Sequence, residues 1–186
     1  NDAFLVRKPE NGFRVVVQGA SSAAGFPYVY GGSFPRILEQ RLAQSFPSRH
    51  VEVVNTGIAA VSSVALADVA AEAAAIEPDA AIIYAGHNEY LGILGVGSTW
   101  GTRLSPEATR RLLRARDFRV LALANRAWAA IAGGDRDQRE GTLMSRVARE
   151  RRIPLDSPLY EAGLAQFRSN MSVLLARYRD AGIPVY

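Results

Sequence analysis

Phe13-Arg14-Val15-Val16-Val17-Gln18-Gly19-Ala20-Ser21-Ser22-Ala23-Ala24-Gly25 is the stretch that decides the fold. An apolar run ends in Gly19, a serine follows two residues later, and small residues follow that. A short β-rich run bounded by glycine reads as a buried strand, and the small residues let the backbone turn sharply at its end. A serine at the carboxyl end of a parallel strand sits where open α/β sheets bind ligands. Two readings of Ser21 stand side by side at this point. It is a nucleophile, or Ser21 and Ser22 cap the segment that follows.

Outward from this strand the pattern repeats. Asn1 to Gly12 is an entry segment with a short apolar patch, Phe4-Leu5-Val6, and a polar turn, Lys8-Pro9-Glu10-Asn11-Gly12. After the serine, a loop rich in Gly and Pro runs through Phe26-Pro27-Tyr28 to Gly31-Gly32. Ser33 is a predicted N-cap with Pro35 in the first turn, and Phe34, Ile37, Leu38, Leu42 and Phe46 recur at helical spacing until Pro47. Val51 to Asn55 is a second strand ending in Asn55-Thr56-Gly57. Ala65 to Glu77 is an alanine-rich helix terminated by Pro78. Ala80 to Tyr84 is a third strand, and it leads into Gly86-His87-Asn88-Glu89. Strand, helix, strand, helix, strand predicts an α/β protein, a three-layer α/β/α arrangement around a parallel sheet with right-handed crossovers. Parallel strands then set the three Gly-containing end loops along one rim.

The second half is read more coarsely. Leu91 to Trp100 is a glycine-punctuated surface loop near that rim, and Pro106–Arg116 and Phe118–Ile131 are helices. Gly133-Gly134-Asp135-Arg136-Asp137 is a break, followed by a short helix over Thr142–Arg151. Ser157-Pro158 opens a long helix with Tyr160, Leu164, Phe167, Met171, Leu174, Leu175 and Tyr178 on one stripe, closed by Gly182. Ile183-Pro184-Val185-Tyr186 starts a fourth strand. The expected organisation is one domain over residues 1–186, incomplete at both ends, with a helical and loop insertion at 92–156.

Composition narrows the function classes. The 186 residues are enough for one core, and 48% hydrophobic with 22% charged residues is ordinary for a globular chain. The net charge of +4 comes almost entirely from Arg scattered along helical stretches, a solvated face and no nucleic-acid patch. Without cysteine there is no disulfide, thiolate or Cys-ligated metal. No apolar run approaches the roughly 18 residues that span a bilayer.

Three blocks, each after its own strand and in order, carry a resemblance: Gly19-Ala20-Ser21, Asn55-Thr56-Gly57 and Gly86-His87-Asn88-Glu89. Together they resemble the SGNH hydrolases, the GDSL-type esterases and acylhydrolases. The wider runs, Gly19 to Tyr28 and Ala85 to Tyr90, look closest to the SGNH-like domains of bacterial proteins that also carry tetratricopeptide repeats. The likeness covers most of the chain, with residues 100–142 contributing little. It implies an SGNH, flavodoxin-like hydrolase fold, with Ser21 as nucleophile, Gly57 as backbone donor and Asn88 as side-chain donor of an oxyanion hole. The implied reaction is ester hydrolysis or acyl transfer on a small-molecule or glycan ester, with neither cofactor nor metal. A bacterial envelope or periplasmic setting is implied as well. The chemistry is coherent, because donors fixed where the tetrahedral oxyanion develops each supply roughly 3 kcal/mol of transition-state stabilisation.

The chain departs from that pattern twice. Nothing matches the family's Asp-x-x-His block, so the base that a serine needs is expected beyond Tyr186. His50 is expected on the opposite rim, and His87 fills the block's variable position. Ala20 stands where the family carries Asp. These departures support an alternative, an impaired SGNH-like module that binds a glycan without turning it over. Nucleotide binding is disfavoured by a first loop with neither Gly-x-Gly-x-x-Gly nor Gly-Lys-Ser/Thr. Glu89 reads as the block's second acid or as a charge at a helix N-terminus. Tyr28, Tyr30, Tyr90 and Trp100 fall in loops near the rim, as pocket lining or as ordinary loop packing.

Overall fold

The central strand of the sheet, β1 (Gly12–Gly19), is the stretch quoted first, and the structure, a computed structural model, describes residues 4–28, 32–98, 104–115 and 152–186. β2 (His50–Asn55) lies on one side of β1 and β3 (Ala80–Tyr84) on the other, both parallel to it, in the order β2-β1-β3. Gly12 pairs with His50 at one end of the β1–β2 ladder and Val17 with Asn55 at the other, while Gly19 pairs with Tyr84. Residues 184–186 add to the free edge of β3. Ala81 N–H donates to the Pro184 carbonyl, Tyr186 N–H to the Ala81 carbonyl, and Val185 bridges Ala81 in parallel. The segment expected to start a fourth strand thus forms a single parallel bridge beside β3.

Side chains alternate across β1, so its two faces feed two cores. Val15 and Val17 pack with Ala23, Val53 and Ala80, and α2 (Phe34–Ser45) covers that face through Leu38 and Leu42. Val16 and Ala20 pack on the other face with Leu66, Ala67, Ala70, Leu174 and Tyr178. That face is covered by α3 (Ser63–Asp68), α4 (Ala70–Ala75) and the long terminal helix. The three-layer α/β/α expectation holds.

The remaining helices are α1 (Ser21–Ala24), α5 (Pro106–Ala115) and α6 (Pro158–Asp180). α6 begins as the sequence predicts, with the Ser157 hydroxyl accepting from Tyr160 N–H at 3.2 Å, and ends with Gly182 at φ +70° just past Ala181. Its buried stripe differs from the expected one. Leu174 and Tyr178 of that stripe are buried and Met171 packs against them, but Leu175 is exposed, and Gly163 and Asn170, which the stripe leaves out, are buried.

Two further expectations are corrected. The alanine-rich helix is two helices: it starts at Ser63, and Val69, with ψ near 4°, separates the pieces. Residues 91–98 do not form a surface loop. Gly92, Gly95, Gly97 and Ser98 are buried, and the segment is tied down by Ile93 N–H to Ala60 O (2.6 Å) and Ser62 N–H to Ile93 O (3.2 Å). Of the insertion expected over 92–156, α5 matches its predicted helix, whereas Phe118–Ile131, the Gly133 break and Thr142–Arg151 lie outside the described residues.

Candidate functional site at the carboxyl rim of the sheet

The serine is presented by a sharp strand-to-helix turn. Gly19 ends β1, Ala20 occupies the N-cap position of α1, and Ser21 is the first helical residue. A side chain at Gly19 would stand 2.4 Å from the Tyr84 carbonyl oxygen and 2.6 Å from Ala23 Cβ, so only glycine lets β1 turn this tightly against β3. The cap reading of the serines fails. Position 20 is the N-cap, it is an alanine, and no side-chain capping bond is present. Ser21 is half-buried, and its hydroxyl forms no hydrogen bond with another described residue. The methyl of Ala20 is buried in the core beneath α3.

Gly57 reaches the serine helix from β2. A Cβ there would lie 2.4 Å from Ala24 N and 2.8 Å from Ala23 C, so the loop backbone rests directly on α1. Asn55 holds the two together. Its Nδ2 donates to the Ala23 carbonyl at 2.8 Å, and its Oδ1 accepts the Gly57 N–H at 2.9 Å. Thr56 N–H to Val17 O (2.9 Å) and Ile58 N–H to Gly19 O (3.0 Å) continue the β2 loop along β1. The Gly57 N–H, the backbone donor implied by the resemblance, is thus engaged within its own turn. Asn55 was missed as a site residue, although Asn two residues before Gly is a side-chain-closed turn signal.

Asn88 belongs to the loop after β3. It is buried, 6% exposed, and its Nδ2 has no hydrogen-bond partner among the described residues. Buried amides are nearly always paired, so an orphaned donor at the carboxyl rim of a parallel sheet is informative. Gln18 Nε2 and Ser62 Oγ are the other unpaired buried side-chain atoms among the described residues. Gln18 lies one residue before Gly19, and its Oε1 accepts the Tyr178 hydroxyl at 2.7 Å. Burial pushes the Tyr178 phenol far above its ordinary value, so it stays a donor at any working pH. Glu89 is 3% exposed and accepts from Ser63 N–H (3.0 Å), the Ser63 hydroxyl (2.9 Å) and Gln166 Nε2 (2.8 Å). It is the charge at the N-terminus of α3, the second of its two readings.

The two histidines lie at opposite ends of the sheet. His50, the first residue of β2, sits at the far end of the ladder with Nε2 3.6 Å from Glu52 Oε1. His87 is exposed and tilts against Tyr84, ring centroids 5.8 Å apart. Tyr84 also meets Phe34 edge-on at 5.9 Å. Tyr90 stacks on Tyr160 at 5.8 Å and donates its hydroxyl to the Tyr160 carbonyl, which is loop packing. Burial, with the nearby Tyr160, Glu161 and Glu89, raises the Tyr90 phenol. Tyr28 is exposed, while Tyr30 and Trp100 lie outside the described residues.

Among the described residues no group of three or more His, Cys, Asp or Glu could hold a metal, and no helix is long and apolar enough to cross a membrane. No family model matches the sequence, and no curated protein matches it. Solved structures to which the chain is similar include the esterase AlinE4, described as a member of the SGNH-hydrolase family. It is 18% identical, with a TM-score of 0.40 over 94% of this chain and 75% of that one. A variant of AlinE4 gives 16% identity and 0.41 over the same shares. A variant of Axe2, an acetyl xylan esterase from Geobacillus stearothermophilus, gives 13% and 0.37 over 97% of this chain and 78% of that one.

Proposed function

We propose that this chain carries the nucleophile and oxyanion-binding part of a serine-dependent ester hydrolase or acyltransferase of SGNH type. Ser21 attacks the ester carbonyl, the Asn88 amide donates to the developing oxyanion, and the Gly57 N–H turns from Asn55 Oδ1 to join it. The observation that carries the reading is Asn88: a buried donor left unpaired on the rim where β1 delivers a serine. An amide held dry and unsatisfied costs stability, and a transition-state oxyanion is the partner that makes use of it. The general base is a histidine held by a carboxylate, expected in chain that follows Tyr186, since nothing in this sequence matches the Asp-x-x-His block that would supply it. The substrate is a small-molecule or glycan ester, acetyl on a glycan being the leading candidate.

A second reading has its own observation. The Gly57 N–H is already bonded at 2.9 Å, and position 20 offers a methyl where an acid would orient the site. Those two features favour a module that keeps the pocket and binds a glycan ester without cleaving it. Fluorophosphonate labelling and nitrophenyl acetate hydrolysis separate the readings. Both are run on this chain, on a version extended past Tyr186, and on Ser21→Ala of each. Labelling and turnover in the extended protein that vanish with Ser21→Ala support the hydrolase. An extended protein that neither labels nor turns over hands the site to the binding reading.

A further inference from the structure

We infer that Glu89 is a positioning residue for Asn88, an assignment that rests on the reading of Asn88 as oxyanion donor. Glu89 is a buried carboxylate with no part in the reaction as drawn above, yet three donors converge on it. The Ser63 N–H binds Oε2 at 3.0 Å, and the Ser63 hydroxyl and Gln166 Nε2 bind Oε1 at 2.9 and 2.8 Å. A further layer stands behind Ser63. Asn170 Nδ2 donates to Ser63 Oγ at 2.9 Å, and Arg110 donates to Asn170 Oδ1. Gln166 also donates to the Leu94 carbonyl at 3.1 Å. One carboxylate thereby joins the loop after β3 to the first turn of α3, the middle of α6 and, through Arg110, α5.

The neighbouring Asn88 needs such support. Its Nδ2 has no hydrogen-bond partner among the described residues, so the direction of that donor is set by the backbone that carries it. That backbone is a tight turn closed by Glu89 N–H to Gly86 O (3.1 Å) and Gly92 N–H to Asn88 O (2.8 Å). The turn itself is moored to the helical layer by the Glu89 carboxylate. A donor that stabilises charge only as it develops has to be aimed beforehand, and its aim is set by the residues that lock its carrier.

The test uses Glu89→Gln. This substitution keeps the volume but sets an NH2 group against a cluster of three donors, so at least one bond is lost. The first readout is the side-chain amide proton pair of Asn88 in the NMR spectrum, identified by its absence in Asn88→Ala. Expected is a shift of that pair toward the exposed-asparagine position and faster exchange with water, with the β1 and β2 backbone amides unmoved. An Asn88 pair unchanged in Glu89→Gln overturns the inference. Ser63→Ala removes only one of the donors and gives the same shift, smaller, should Glu89→Gln not fold. The second readout is nitrophenyl acetate hydrolysis by the extended protein. There kcat falls about tenfold at unchanged KM, and Glu89→Gln adds nothing once Asn88 is alanine. Additive losses, or a rise in KM alone, also overturn it. Turnover that survives Ser21→Ala sinks the hydrolase reading instead, and the NMR result still decides whether Glu89 aims Asn88.

Discussion

Gly57 is where the loop after β2 lies against the backbone of the helix launched by β1, and nothing larger fits. The atoms a methyl would meet are Ala24 N and Ala23 C, main-chain atoms that cannot rotate aside. Gly57→Ala is therefore expected to lower stability by about 1–3 kcal/mol through overpacking, read as a shift in the urea midpoint at constant slope. An unshifted midpoint would mean the β2 loop does not rest on α1. This contact was half legible in the sequence. Ser21, Gly57 and Asn88 could each be placed at a strand end, because parallel strands put their ends on one rim. The bond that holds Gly57 there comes from Asn55, and only the folded backbone shows that the same asparagine also binds Ala23.

Elements were read where their pattern is local and lost where it is not. The three strands are legible to within a residue or two, since each is a short run rich in Val or Ile bounded by turn residues. α6 was found with its cap because Ser157-Pro158 and Gly182 are local signals. The start of α3 was misplaced, because Ser63 is drawn into the helix by a carboxylate 26 residues away in the chain. Asn170 on α6 escapes the apolar pattern for the same reason: it is buried among partners on α3 and α5, not by its own apolarity. Tyr178 shows what the stripe holds in place. Its hydroxyl is the partner of Gln18 Oε1 in the core, and Gln18 Nε2 already has none. Tyr178→Phe leaves that whole amide unpaired and is expected to destabilise by about 1–3 kcal/mol, measured by denaturant unfolding. A neutral result would show that the Gln18 amide is satisfied another way.

For the whole molecule, the end of the sheet opposite the serine is held by charge. Arg14 is 1% exposed, and its guanidinium binds Glu52 Oε2 at 2.9 Å and the Leu5 carbonyl at 2.6 Å while lying over the Phe4 ring. Glu52 Oε1 accepts the Leu5 N–H at 2.8 Å, and Asp79 joins Lys8 at 2.7 Å to the Arg14 N–H at 2.8 Å. Burial pushes both carboxyls up, but the hydrogen bonds and cations around them outweigh it, and both end below their ordinary values. The folded state therefore binds protons less readily than the unfolded chain. The stabilisation is complete above the unfolded value of ~4 and is lost as pH falls through the lower folded values. Thermal melts between pH 7 and pH 2 should show Tm falling below about pH 4.5, with the fall much reduced in Glu52→Gln/Asp79→Asn. Equal acid sensitivity in that variant would place the effect elsewhere. The rim that carries Ser21 has the opposite character, since what distinguishes it is a polar group left without a partner. A fold that keeps the Asn88 donor buried and unpaired gives up stability, so, on the proposed reading of Asn88 as oxyanion donor, fitness for the reaction and fitness for folding pull against each other at this residue. Asn88→Ala should accordingly leave Tm level or raised while turnover falls about 10²–10³-fold.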